Sequence, residues 1–183
     1  MDQQEMYLAH QAIGALFSAT NKLQVQGSNY LQELSIRQSM VMATLVHLPQ
    51  EEATINTIAR LLGTSKQSAK QIIDAMEKKG YVAVGPNAQD KRALSVTITP
   101  EGARVNQRCV QRYNDFAAEA FKDFDPGDLE TMLALLAKLR GGTGDAQADQ
   151  AASSRDVFVT NMNHYLHSHE ATASAGSQEG AKR

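Results

Sequence analysis

The sequence predicts a mainly α fold with a small β-hairpin wing: a winged helix-turn-helix set in a helical homodimer. Three observations predict it. A short helix, a Gly-containing turn and a second amphipathic helix follow one another between Thr54 and Lys79. A strand pattern, a charged loop and a second strand pattern come directly after, from Tyr81 to Ile98. Long helices on either side are too apolar for one small domain to cover.

The centre of the chain is Ser65–Arg92. Ala69, Ile72, Ile73 and Met76 fall at i, i+3, i+4 and i+7, one apolar face of a helix. Gln67, Gln71, Asp74 and Lys78 point away from that face, with Lys70 at its flank. Gly80 is placed to end the helix as a left-handed cap. Tyr81–Val84 reads as a strand, broken by Gly85-Pro86-Asn87, and the loop ends in Asp90-Lys91-Arg92. Leu94, Val96 and Ile98 alternate with Ser95 and Thr97, a half-buried strand that pairs back on the first.

The remaining elements follow in order. Residues 4–31 form a helix with Leu8, Ala12, Ala15, Leu16, Ala19 and Leu23 in a stripe that Tyr7, Ile13 and Phe17 widen. A helix so broadly apolar is buried from two sides, in a core or on a second subunit. Ser35 opens the next helix with Gln38 as capping-box partner, and Pro49 stops it. Thr54 caps a short helix to about Leu62, and Gly63 ends it. Thr64 or Ser65 caps the following helix, Thr64 with Gln67 forming a second capping-box pair. Thr99-Pro100 starts a helix to about Phe124, with Val105, Cys109, Tyr113, Phe116, Ala120 and Phe124 in its stripe. Asp125-Pro126 starts another, apolar over most of its surface. Subunit pairing through the first and last of these helices is the economical way to cover them.

These readings divide the chain. Residues 1–33 are a dimerisation helix and 34–98 a DNA-binding domain, its recognition helix about 65–79 and its wing about 81–98. Residues 99–140 are further dimerisation helices. By composition 141–153 is a flexible linker, 154–170 an extra helix and 171–183 a disordered tail.

Net charge is −2 over 183 residues, with 42% apolar content. From Arg60 to Arg92 there are seven basic and three acidic side chains, so that segment is +4 on a body of −6. A basic patch on an acidic body suits a face presented to phosphates, and equally an ordinary solvated face. One cysteine excludes an internal disulfide framework. The absence of a long apolar run and the acidic start lead us to expect a cytoplasmic protein with no membrane partner.

The order and spacing of several pieces resemble the MarR family of bacterial transcriptional regulators. They are Leu34-Ser35-Ile36-Arg37-Gln38, Ile58–Gly63, Ile72–Val82, Asp90-Lys91-Arg92 and Val96–Gly102, and the resemblance spans roughly residues 5–140. It implies a homodimer with one wing and recognition helix on each half of a palindromic double-stranded DNA operator. It also implies release by a small molecule, often aromatic, held between the dimer and DNA-binding regions. Repression is the expected outcome. The chain departs from the family in having Val84 and Gly85 where basic residues are frequent, and Gln71 where Arg is frequent. Both lower the positive charge and imply weaker or more salt-sensitive binding, or contacts taken over by Lys66 and Lys70.

In this frame Gln67 and Gln71 can read adenine edges, and Lys66 and Lys70 can read guanine or hold phosphate. Ser65 and Ser68 suit phosphate contacts. Gln67 can instead be a capping partner and Ser65 a plain N-cap. Lys91 and Arg92 belong to the wing tip, Arg92 entering the minor groove or holding phosphate, with Asp90 structural. Cys109 reads as a buried thiol, and His164, His167 and His169 as solvated histidines at a helix end rather than metal ligands. No catalytic constellation, cofactor motif or metal set is visible, so an enzyme is not expected. Two rival roles remain: a winged-helix protein interaction module, and a regulator controlled through its C-terminal helix without a small-molecule ligand.

Overall fold

The computed structural model describes residues 1–87 and 94–141. Its elements are α1 (Gln3–Leu31), α2 (Ile36–His47), α3 (Ile55–Leu61), α4 (Lys66–Lys78), β1 (Val82–Pro86), β2 (Leu94–Ile98), α5 (Pro100–Ala120) and α6 (Pro126–Gly141). The linker, extra helix and tail expected within 142–183 lie outside the described residues.

Local chemistry sets most element boundaries. Ser35 and Gln38 form the expected capping box on α2. Thr54 caps α3, accepting from the Thr57 N–H. Thr99 caps α5 with Pro100 at the first helical position, where a missing N–H costs nothing. Asp125 and Asp128 cap α6 reciprocally. Helix α5 stops at Ala120, short of the expected Phe124, and Phe121–Asp123 form a turn.

The core lies where α2, α3 and α4 meet the hairpin and the start of α5. Val41, Met42, Ile58, Ile73, Met76, Val82, Val96 and Val105 are shut off from solvent there. The hairpin is antiparallel, with Val82 opposite Ile98 and Val84 opposite Val96. It differs from the expectation at its outer end. Gly85 and Pro86 continue the strand, paired with Ser95 and Leu94, instead of breaking it. The alternation also reverses there, since Leu94 is 48% exposed and Ser95 is buried. The backbone before α3 supplies the reason. Val96 N–H donates to Ala53 C=O at 2.8 Å and Thr54 bridges Ser95, so β2 is paired on both sides.

Helix α1 buries only Gly27 and Leu31. Its first five turns leave Tyr7, Ile13 and Phe17 exposed, Phe17 by 70%. Leu133, Leu135 and Leu139 of α6 are exposed as well. Within one chain the broad stripe of α1 is therefore not buried from two sides.

Candidate nucleic-acid interface

The turn between α3 and α4 is built from two adjacent caps. Gly63, at φ +61°, donates to Arg60 C=O while Thr64 donates back to Ala59 C=O. That bond pair is a Schellman stop, which needs a left-handed residue and so favours Gly. Ser65 begins α4 at once, accepting from Ser68 N–H at 3.1 Å and donating to Ser68 Oγ at 2.9 Å. The Thr64–Gln67 capping pair does not form. Gln67 is left exposed, while Ser65 caps the helix through the Ser68 N–H.

Ala69, Ile73 and Met76 bury one side of α4. Lys66, Gln67, Lys70 and Gln71 are exposed on its first turns. Lys70 Nζ donates to Asp74 Oδ2 at 2.6 Å, an exposed pair one turn apart that competes for the lysine's charge. A second Schellman stop ends α4, with Gly80 at φ +73°, Gly80 N–H on Glu77 C=O and Tyr81 N–H on Met76 C=O. Glu77 then reaches the hairpin, its Oε1 accepting from Val84 N–H at 3.1 Å. The helix and the root of the wing are thus one unit.

Asp90, Lys91 and Arg92 lie outside the described residues. The strands that lead to them are held by Asn87, which the sequence reading treated only as a strand breaker. Asn87 is buried, and its Nδ2 donates at 2.7 Å both to Glu51 C=O and to Ser95 Oγ. A buried polar pair of this kind explains why Ser95 and not Leu94 faces inward.

A cavity of about 410 Å³ opens between α1, α2, α4 and α5. Leu23, Met40, Ile72, Tyr113 and Phe116 give it apolar walls, and Arg37 brings a charge to it. Burial pushes the Tyr113 phenol up. Gly63 and Thr64 of the α3–α4 turn also line it, so its contents touch the segment that orients α4. Cys109 is buried with its thiol pushed up by that burial, which suits a structural thiol and not a reactive one. Among the described residues no group of three or more His, Cys, Asp or Glu could hold a metal, and His164, His167 and His169 lie outside them. No helix among the described residues is long and apolar enough to cross a membrane.

The family model of the MarR family matches residues 32–93, from the end of α1 through the hairpin loop. Over that segment the chain is similar to the MarR family. Relatives agree over a longer span. The chain is 28% identical to the transcriptional activatory protein BadR of Rhodopseudomonas palustris over 139 residues, 74% of this chain and 79% of that protein. It is 29% identical to the multiple antibiotic resistance protein MarR of Salmonella typhimurium over 83 residues, 45% of this chain and 58% of that one.

Solved structures share the fold. A MarR family regulator of Streptomyces coelicolor in complex with DNA aligns with TM-score 0.67 at 17% identity, covering 80% of this chain and 96% of that one. Bordetella bronchiseptica BpsR, whose DNA binding is regulated by 6-hydroxynicotinic acid, aligns at 0.62 and 18%, covering 69% and 91%. The fold is thus that of MarR-family winged-helix regulators, and the sequence is similar to theirs over these spans.

Proposed function

We propose that this protein is a MarR-family regulator that acts in the cytoplasm as a homodimer on a palindromic operator, most simply as a repressor that a small aromatic acid releases. The observation that carries the reading is the exposed face of α4. Lys66, Gln67, Lys70 and Gln71 stand together on its first turns, the end of a recognition helix that enters the major groove. Gln67 and Gln71 are free to read base edges, and Lys66 and Lys70 to hold phosphate or guanine. Ser65 and Ser68, occupied as caps, offer backbone N–H groups and hydroxyls to a phosphate. Lys91 and Arg92 are assigned as wing contacts and Asp90 as a structural residue of the wing. The exposed apolar residues of α1 and α6 support pairing with a second copy.

The cavity supports the effector. Its volume lies in the usual range for small-ligand sites. Aromatic rings and one guanidinium suit a planar ring that bears a carboxylate. An occupant that fits only one position of the α3–α4 turn would shift the population of DNA-competent dimers. Activation is the second reading, because the relative BadR is named as an activatory protein.

The test is a mobility shift on the intergenic DNA upstream of the protein's own gene, at several salt concentrations. Wild-type protein should bind with a salt slope of several phosphates, and Lys70→Ala should lower that slope by about one. Small aromatic acids and phenols, added in turn, should include one that releases the complex. Absence of binding by wild-type protein, or an unchanged slope in Lys70→Ala, would refute the docking face.

A further inference from the structure

Where α1 turns into α2, the backbone is bent in a way that few residues adopt. Glu33 N–H donates to Leu31 C=O at 2.7 Å across Gln32, which sits at φ +61° and ψ −55°. This is the rarer, strained form of the γ-turn, and such strain persists only where the surroundings hold it. Helix α5 does the holding. Arg112 Nη1 donates to the same Leu31 C=O at 3.2 Å, and Cys109 Sγ lies 3.7 Å from it. Helix α1 has no basic residue in its last turn, so Arg112 supplies the cation that its C-terminus favours.

Glu33 is gripped at both ends. Its carboxylate takes two bonds from Arg108, Nε at 3.1 Å and Nη2 at 2.6 Å, with Arg112 Nη1 at 3.6 Å. Its backbone C=O takes Lys79 Nζ at 3.2 Å. Lys79 is the C-cap of α4, and its ammonium also lies 5.6 Å from the centre of the Tyr81 ring. Tyr81 C=O in turn accepts from Thr99 N–H, just before α5. The γ-turn, the end of α4 and the first four turns of α5 therefore close on one residue.

We propose that Glu33 is a positioning residue for DNA binding: gripped by Arg108, Arg112 and Lys79, it fixes the C-terminal end of α4 to α5. This rests on the reading of α4 as the recognition helix. No contact between Glu33 and DNA is involved, which separates the proposal from any role in the docking face. The sign of the effect separates it from simple electrostatics. Removing a negative charge should strengthen binding to a polyanion, whereas loosening α4 weakens it.

The test uses full-length protein on the same upstream DNA. Glu33→Ala should weaken binding about 3- to 10-fold, the range of a modest coupling, with its salt slope unchanged because no phosphate contact is lost. Its thermal midpoint should move by no more than about 4 °C, as suits exposed ion pairs. Arg108→Ala should weaken binding to a similar extent, and Glu33→Ala combined with Arg108→Ala should be no weaker than either alone, because the two side chains act through one contact. Unchanged or tighter binding by Glu33→Ala overturns the proposal. So does a double variant whose loss equals the sum of the two single losses, or a changed salt slope in Glu33→Ala. Failure of wild-type protein to bind at all overturns instead the functional reading beneath it.

Discussion

Gly102 is the position where the structure reverses an ordinary expectation. It is the third residue of α5, in helical backbone, where Gly→Ala normally stabilises by ~1 kcal/mol. Here an added Cβ would overlap the carbonyl oxygen and carbon of Tyr81. That carbonyl is backbone, it cannot rotate aside, and it already accepts from Thr99 N–H at 3.1 Å. Forcing extra volume into such a contact costs about 1–3 kcal/mol, and losing the displaced hydrogen bond adds about 1 kcal/mol. After the helix-propensity gain, Gly102→Ala should be less stable by about 1–3 kcal/mol. For a chain of this length that lowers the thermal midpoint by roughly 3–10 °C. The assay is thermal unfolding of both proteins at one fixed concentration, since association couples to stability. A midpoint equal to or above wild type would refute the reasoning and mean that Tyr81 and α5 move apart freely.

Three further outcomes follow from other contacts. Asn87→Ala removes the donor to Glu51 C=O and Ser95 Oγ and should cost about 1–3 kcal/mol in urea unfolding; Asn87→Asp should cost more, because it buries a charge and sets a carboxylate oxygen against Glu51 C=O, which can only accept. Glu33 should give acid-sensitive stability. The hydrogen bond from Arg108, aided by the charges of Arg108 and Arg112, holds its carboxyl below the ordinary 4.5. A lowered value means the contribution is complete above about 4.5 and drains as pH falls through the lowered value. Wild type should therefore lose urea resistance faster than Glu33→Gln between about pH 5 and 3, and parallel curves would contradict it. Phe17→Asp places a charge on the exposed stripe of α1 and should yield monomers in sedimentation at micromolar concentration, while a persisting dimer would exclude that stripe from the subunit contact.

What could be read from the sequence was what local chemistry decides. Ser35 with Gln38, Thr54, and Thr99 with Pro100 mark helix starts through bonds spanning three residues, and each formed as read. The apolar face of α4 was likewise visible from its spacing. One local choice went the other way. Thr64-Ser65 offers two hydroxyls, each with a polar residue three further on, and only the fold selects Ser65. At Leu94-Ser95 the alternation failed because Ala53–Thr54 and Asn87, far apart in sequence, claim β2 from its other side. Glu33 and Arg108 stand 75 positions apart and leave no periodic trace. The stripe of α1 was legible as apolar, and within the chain Tyr7, Ile13 and Phe17 stay exposed.

The cavity and the Glu33 junction sit at opposite parts of the same rod. Helix α4 has 13 residues, so it is about 20 Å long. Its far end is moored through Glu33 to α5, while Gly63 and Thr64 just before its leading end, and Ile72 at its middle, touch the cavity. A rod held at one end acts as a lever. A tilt of about 6° around that fulcrum carries Lys66 and Gln67 roughly 2 Å sideways, more than a base-edge hydrogen bond tolerates. A small occupant therefore needs no large rearrangement of the chain to be felt at DNA, because the length of α4 multiplies its push.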